Sequence, residues 1–417
     1  MGIRTDRTRW LVLGLAFAVT ACGETVEAPA RLQATIDTVA GVQRLAYPET
    51  GAQALSWRLD TVAVIGGYSA EADEYQFDQV RTGGMVGDAL GDLYVLDSGG
   101  KRVLGYDATG EFIGVWGREG NGPGEIANPG GIAVAPDGTL WVTDDGNRRV
   151  TLIPTRTGDE PASIPLPESA GAVSGDLALT DDGLYGVLAT FRFTPGDDSG
   201  PPPMPLVHMT LGGVYDDTLW TAERPHMDRI ELRSGNQVMV GLIQQAFAPG
   251  FRWGRFEDGT FALSEGPEYD IHLLDAEGRE LRKIHRDPPA RAPTTEDMDR
   301  ERQRQRDMAP PSNIPGAEQL MEKRLEALTF AEQIPRITGL AVDTQDRLWV
   351  GVSVDRPGET DRIDVYDRDG GLLGEIRAPE FFPTLFYGDG LVTQLTADDL
   401  EVQQIVVYRL VEDAPGA

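Results

Sequence analysis

Gly91-Asp92-Leu93-Tyr94-Val95-Leu96-Asp97 recurs without a gap as Gly138-Thr139-Leu140-Trp141-Val142-Thr143-Asp144. The flanking Lys101-Arg102-Val103 recurs as Arg148-Arg149-Val150, and every match lies 47 residues further on. The same grammar surrounds each copy. An alternating strand such as Gly131–Ala135 leads into Pro136-Asp137-Gly138, where glycine supplies the positive φ of a tight hairpin. A second strand, Leu140–Thr143, runs to an Asp, and a short polar loop leads to a third, Val150–Pro154 or Val103–Asp107. Ala108-Thr109-Gly110 then opens a fourth, Phe112–Gly117. Weaker copies of the central signature follow at Asp182-Gly183-Leu184-Tyr185, Asp258-Gly259-Thr260-Phe261, Asp346-Arg347-Leu348-Trp349-Val350 and Asp389-Gly390-Leu391-Val392, which makes six.

Four antiparallel strands in roughly 40–47 residues is the size of one propeller blade. The repeat therefore predicts an all-β, six-bladed β-propeller over residues 55–412; a sandwich or a pair of barrels would not repeat a four-strand unit with fixed turns. The 50 glycines of the 417-residue chain fit such a turn-rich fold. The sixth copy shows only three strands after Phe381: near Leu385, at Leu391–Leu395 and at Gln404–Leu410. Leu55–Gly66 reads as an outer strand without a partner, so pairing it with the C-terminal blade would close the ring and remove two open sheet edges. Two stretches depart from the repeat. Residues 224–249 add a strand-like run, Gln237–Ile243. Residues 288–334 form a small helical insertion, with Thr294 or Thr295 as N-cap, a solvated charged helix over Glu296–Asp307 and a stop at Pro310-Pro311. Its second piece places Ala317, Leu320, Met321, Leu325 and Leu328 on one face, a stripe expected to pack on the propeller or to receive a partner.

Residues 78–166 resemble the NHL-repeat family of six-bladed propellers, through Leu93–Asp97 with Arg102-Val103, the connection Gly117–Glu125, and Gly131–Val134, Leu140–Asp144, Asn147 and Arg149-Val150 in the second copy. The later blades look like the wider bacterial group of lipid-anchored six-bladed propellers, and there the Asp-to-Arg signature is eroded, with Asp355 and Arg362 as a stretched version. The resemblance implies a binding or scaffold module.

The N-terminus adds a location. Arg4, Arg7 and Arg9 precede the apolar run Trp10–Thr20, too short for a stable membrane span, and then Val19-Thr20-Ala21-Cys22-Gly23. Residues 1–21 read as a signal peptide. Cys22, the single cysteine, sits where the bacterial lipobox places its lipidated thiol, leaving residues 22–54 as a lipidated tether. The expectation is an exported protein, anchored by lipid in the cell envelope, in the outer membrane if the host has one; Gly23 resembles the residue found in proteins sorted there. Cleavage removes three Arg and one Asp, taking the net charge from −30 to −32. Such a surface repels phosphate backbones, so nucleic acid is excluded as a partner. A membrane partner is reached through the lipid; an envelope protein or small ligand is expected on the propeller rim, and the chain is expected to be a monomer.

No catalytic set is legible. Asp97 with Arg102, and Asp144 with Arg149, lie five residues apart across a tight loop and are expected to meet as structural ion pairs. None of His208, His226, His272 and His285 stands at an i, i+4 metal spacing, and His272 and His285 fall on outer strands. Propellers like gluconolactonase and regucalcin hold a divalent ion with scattered Glu, Asn and Asp, so calcium is the metal to test, though no motif supports it. There is no Gly-x-Ser-x-Gly elbow, and Gly117–Gly124 lacks the Lys-Ser/Thr ending of a phosphate loop. The candidate binding rim carries Asn147, Arg148, Arg252, Trp253 and Arg336, which equally suit wall packing. The leading expectation is a ligand- or protein-binding module. The alternative is a metal-dependent propeller hydrolase or lyase of lactonase or esterase type, which would need at least three carboxylate, Asn or His side chains converging in the channel.

Overall fold

A computed structural model describes residues 32–68, 75–167, 171–188, 202–225, 227–234, 237–287, 289–307, 317–377, 379 and 381–412. The signal peptide, Cys22, His226 and Pro310-Pro311 lie outside the described residues. No described helix is long and apolar enough to cross a membrane.

The chain opens with β1 (Thr35–Val39), β2 (Val42–Tyr47) and β3 (Arg58–Gly66). Blade one follows as β4 (Val80–Gly87), β5 (Leu93–Asp97), β6 (Arg102–Tyr106) and β7 (Phe112–Trp116). Blade two is β8 (Pro129–Val134), β9 (Thr139–Asp144), β10 (Arg149–Pro154) and β11 (Ala162–Pro165); blade three is β12 (Val173–Leu179), β13 (Gly183–Leu188), β14 (Met204–Thr210) and β15 (Tyr215–Ala222). A hairpin, β16 (Met227–Ser234) and β17 (Gln237–Gln244), precedes blade four: β18 (Arg252–Arg255), β19 (Phe261–Ser264), β20 (Asp270–Leu274) and β21 (Glu280–Arg286). Helices α1 (Thr295–Asp307) and α2 (Ala317–Glu326) lead to blade five: β22 (Ile337–Val342), β23 (Leu348–Val352), β24 (Arg362–Tyr366) and β25 (Leu372–Arg377). Blade six contributes β26 (Leu385–Tyr387), β27 (Leu391–Ala397) and β28 (Gln403–Val411).

Each blade is an antiparallel sheet in chain order, and the fourth strand of blade six is β3. β3 pairs with β28 from Gln404↔Gly66 to Val411↔Arg58, so the ring closes as the lone N-terminal strand implied. The cores lie between blades: Val95, Leu93 and Tyr106 of blade one, for instance, pack against Tyr387, Leu391 and Ile405 of blade six. In blades one and two, the loop after the second strand repeats to the level of backbone angle. Lys101 and its 47-residue equivalent Arg148 both adopt left-handed φ, at 54° and 53°.

Part of the segment read as tether is built into the fold. β2 adds in parallel to β21, with Leu45 opposite Ile284, and β1 pairs with β2, extending blade four to six strands. The chain then crosses to blade five, where Glu375 N donates to Gln53 O and Leu55 N to Glu375 O, before β3 joins blade six. Residues 35–66 thus lace the outer edges of three consecutive blades. The driving force is burial. Leu45 and Tyr47 enter the core of blades four and five, and Tyr47 Oη donates to Gly370 O at 2.9 Å. Polarity between Glu24 and Ala40 suggested a linker, but strand addition needs only a free edge and one apolar side.

The two insertions meet each other. Ile243 and Ala246 after the β16–β17 hairpin pack on Leu328, and Ala246 bridges to Phe330. Thr294 is the N-cap of α1: Asp297 N donates to its Oγ1 at 3.2 Å, and Thr294 N donates to the Asp297 carboxylate at 2.9 Å. The Arg291 guanidinium beside Asp297 holds that carboxyl well below the usual range. Asp297 and Glu301 are buried, so one charged face of α1 is packed rather than fully solvated as its composition suggested. Leu325 and Leu328 of the predicted stripe are buried. Both insertions occupy links between blades, so antiparallel order puts them at the end of the ring that carries the loops between second and third strands.

Candidate functional site

The Asp-to-Arg signature holds the loops of blades one and two, in two different ways. Asp97 is fully buried; it accepts from Asp78 N, Gln79 N and Gly100 N and receives Arg102 Nε at 3.2 Å. Asp144 is also fully buried but accepts from Ala127 N, Asn128 N, Asn147 N and Asn147 Nδ2. Arg149 does not reach it. Although the two residues face each other in register, Arg149 donates to the carbonyls of Asn121, Gly122 and Glu125. Asn147 fills the space the guanidinium would occupy, so the predicted second ion pair is replaced by an amide. Nor do Asp355 and Arg362 pair: Asp361 accepts from the Asp355 and Arg356 amides, whereas Arg362 bonds Glu49 and Asp364.

The rim candidates separate along the same lines. Asn147 and Arg148, which donates to Pro167 O, tie loops together. Trp253 is wall, packed with Tyr185, Phe261 and Leu263 between blades three and four. Arg336 is buried beside Glu49. It belongs to a network between blades four and five that spacing could not reveal. There Arg286 lies 2.6 Å from Asp364 and 3.1 Å from Glu375, with all three side chains at most 3% exposed. Arg362 contacts Asp364 and Glu49 at 2.8 Å each, and Tyr269 Oη donates to Asp364 at 2.8 Å. Burial and the Asp364 charge push the Tyr269 hydroxyl well above its ordinary range. Burial opposes the Arg286 charge, but Asp364 beside it outweighs that cost. Arg252 faces open space, and Trp253 beside it lines the same space. Arg252 donates Nε to Thr338 O at 2.9 Å and Nη1 to Gly250 O, and burial lowers its pKa.

That space is the central channel. A cavity of about 710 Å³ is lined by all six innermost strands, β4, β8, β12, β18, β22 and β26. Its walls mix polar atoms with apolar side chains, among them Met85, Ile132, Leu177, Leu340, Phe382 and Phe386. Two bulges narrow one side. In β12 the register steps from Ser174↔Val187 to Leu177↔Gly186, so Gly175 and Asp176 loop out of the ladder; in β4 it steps from Val80 to Met85. The bulges touch. A Cβ on Gly83 would fall 2.5 Å from the Gly175 carbonyl carbon, and one on Gly131 would fall 2.7 Å from Gly175 O. Gly83 and Gly175 both have positive φ, 80° and 77°, so conformation favours glycine at both, and closeness demands it at Gly83.

The β12 bulge projects one charge into the cavity. Asp176 is the exposed residue of its strand and has no hydrogen bond or ion pair. Its side chain meets channel solvent while protein surrounds it, and this loss of water raises its carboxyl above the ordinary value. Across the cavity wall, Arg255 also has no hydrogen bond or salt bridge. Its Nε is buried without an acceptor, and its guanidinium sits 5.9 Å from the Tyr185 ring. Neither residue stood out in the sequence. The bulge is a register property, and an arginine without a partner is recognisable only once every acid has been placed.

Histidines stand elsewhere. His208, His272 and His285 lie on outer strands and pair with Asp216, Glu280 and Asp270 at 2.6–2.7 Å. Among the described residues no three His, Cys, Asp or Glu side chains converge to hold a metal. Among the described residues Asp176 is the one carboxylate lining the cavity, a donor set that does not fit a calcium site of six to eight oxygens.

No protein-family model and no curated protein sequence matches the chain. Solved structures resemble it in outline. A member of the DUF4221 family from Bacteroides vulgatus is 10% identical with a TM-score of 0.49, over 87% of this chain and 100% of that one. Virginiamycin B lyase from Staphylococcus aureus is 12% identical with a TM-score of 0.40, over 85% of this chain and 100% of the other. The calcium-binding protein regucalcin from Agrobacterium tumefaciens is 13% identical with a TM-score of 0.39, over 89% of this chain and 99% of that one. The assignment of a six-bladed propeller rests on the strand topology of the chain itself.

Proposed function

We propose that this chain is a cell-envelope lipoprotein whose NHL-like propeller is a binding module for a small ligand, taken into the central channel. Cys22 would carry the lipid, and residues 23–34 would lead from it to the first described strand. The observation that carries the reading is the character of the channel: a cavity of ligand size, lined by apolar side chains and polar atoms in near-equal share, with two unpaired charges on its wall. Pockets of about 300–1,000 Å³ are the usual form of small-molecule sites. The lactonase-like alternative draws no support from the single lining carboxylate.

Two measurements test it. Incorporation of a clickable palmitate should be complete in the native chain and absent in Cys22→Ser, which should leave the membrane fraction. The purified chain should bind a small-molecule ligand without turnover. Hydrolysis of a lactone or ester that stops on chelation and returns with calcium would replace the binding reading by the enzymatic one.

A further inference from the structure

We propose that the ligand is a short zwitterionic peptide, its ammonium on Asp176 and its carboxylate on Arg255. This rests on the binding-module reading and gives that site its chemistry.

The argument starts from two unpaired charges. A carboxylate enclosed by protein with no hydrogen bond to its charged form is unfavourable until a cation meets it. Asp176 faces the channel, open to its water but without a protein partner, on a bulge in which Gly83 and Gly175 adopt positive φ. Arg255 is the complement. Arg148, Arg149 and Arg252, which reach no acid, spend their guanidinium groups on carbonyl oxygens. Arg255 bonds none. It acts on Asp182 and Asp258 only through space, while its buried Nε has no acceptor. A guanidinium presents a planar fork that matches a carboxylate with two parallel hydrogen bonds.

The separation of the two charges narrows the ligand. The Arg255 guanidinium stands by Gly259, in the β18–β19 turn, and by the ring of Tyr185, the residue opposite Ala178, whereas Asp176 leaves the ladder on the bulge before Leu177. The two charges therefore sit at different levels of the inner strands. A ligand spanning them needs its own charges several bonds apart, as the termini of a dipeptide or tripeptide are and those of a free amino acid are not. The wall also has Leu177, Leu340, Phe382 and Phe386 available to side chains. Arg252, held by two carbonyls, stands on the same inner strand three residues before Arg255 and would favour the anionic end at blade four.

The test is isothermal titration of the full-length chain in detergent with leucyl-phenylalanine and alanyl-leucyl-phenylalanine, each free, N-acetylated and C-amidated. The expected result is that one or both free peptides bind and that either block weakens binding at least tenfold. Asp176→Asn should abolish discrimination against the acetylated form alone, and Arg255→Gln against the amide alone. Far-ultraviolet circular dichroism and melting of each variant show that it folds. Two results overturn the proposal: no binding of either free peptide, or blocking effects that the two variants leave unchanged. Neither touches the binding-module reading if another small molecule binds and Leu340→Trp, which narrows the channel, weakens its binding. Turnover of an ester or lactone by the same sample would remove both.

Discussion

The loops of blades one and two and the seam between blades four and five both bury charge, and they do so by opposite means. In the first region each buried carboxylate is satisfied by neighbours close in sequence: Asp144 accepts from Asn147 three residues on and from the amides of the preceding link. In the second, Arg286 reaches Asp364 and Glu375 on the next blade, and Glu49 arrives from the N-terminal strap. The local arrangement fixes a loop. The long-range one brings three separate parts of the chain into one seam, so its failure should be felt by the whole ring. Two energetic facts follow. A buried carboxylate held by amides needs no counter-charge, whereas a buried guanidinium stripped of its acids is left uncompensated.

The largest expected effect tests the seam. Arg286→Met takes the fully buried cation from Asp364 and Glu375, leaving them only Arg362 and Arg377, and should lower unfolding free energy by ~3 kcal/mol in urea titration. A loss below ~1 kcal/mol would mean that the network is incidental. A chain beginning at residue 55 should suffer comparably. It loses the burial of Leu45 and Tyr47, worth ~1.5–3 kcal/mol per side chain, and leaves Arg336 and Arg362 without Glu49. If residues 35–54 were only a tether, that chain would melt like the complete one. The local loops come next. Asp97→Ala and Asp144→Ala should each cost ~2–3 kcal/mol, because each strands several buried amides. A double-mutant cycle then separates the two loops. Asp97 and Arg102 should couple by ~1 kcal/mol, and Asp144 and Arg149 by ~0. Equal couplings would erase the distinction drawn between them.

The smallest effects concern pH, and their signs oppose. The Asp297 carboxyl is depressed, chiefly by Arg291, so its contribution is present at neutral pH and lost as pH falls below its ordinary value of 3.8. Asp297→Asn should flatten the acid limb of a stability–pH profile; the half-exposed Arg291 keeps the effect modest. The Asp176 carboxyl is raised, so its charged form opposes folding at neutral pH. Asp176→Asn should therefore stabilise the ligand-free protein at pH 7, with the gain disappearing in acid. A destabilised variant would show that Asp176 serves the fold and not the cavity.

Much of the architecture was legible. The 47-residue repeat, the Asp-Gly turns and the orphan strand before residue 66 led to six blades and to their closure, because turn chemistry and strand alternation are local signals. The clasp at Asp97 was legible for the same reason. The strap was not, because the chain's polarity near residue 35 says nothing of a free edge on β21 some 240 residues away. Of the rim candidates Arg252 and Trp253 line the cavity, Trp253 as part of its wall; Asn147, Arg148 and Arg336 are consumed by loops and seam. Whether an arginine is spent or free depends on which acids come near, and no spacing encodes that.

By itself, then, the sequence determined the kind of blade, the number of blades and how the ring is closed, all of which follow from periodicity and turn residues read within a window of one repeat. Beyond the local Asp97–Arg102 clasp, tertiary structure decided which charges are paired. It threaded residues 35–66 across three blades, joined the two insertions, and pressed the Gly83 and Gly175 bulges together so that Asp176 projects into the channel. The physical reason is that pairing and burial depend on distances between segments remote in the chain, and those distances are set only when the six sheets close around one axis.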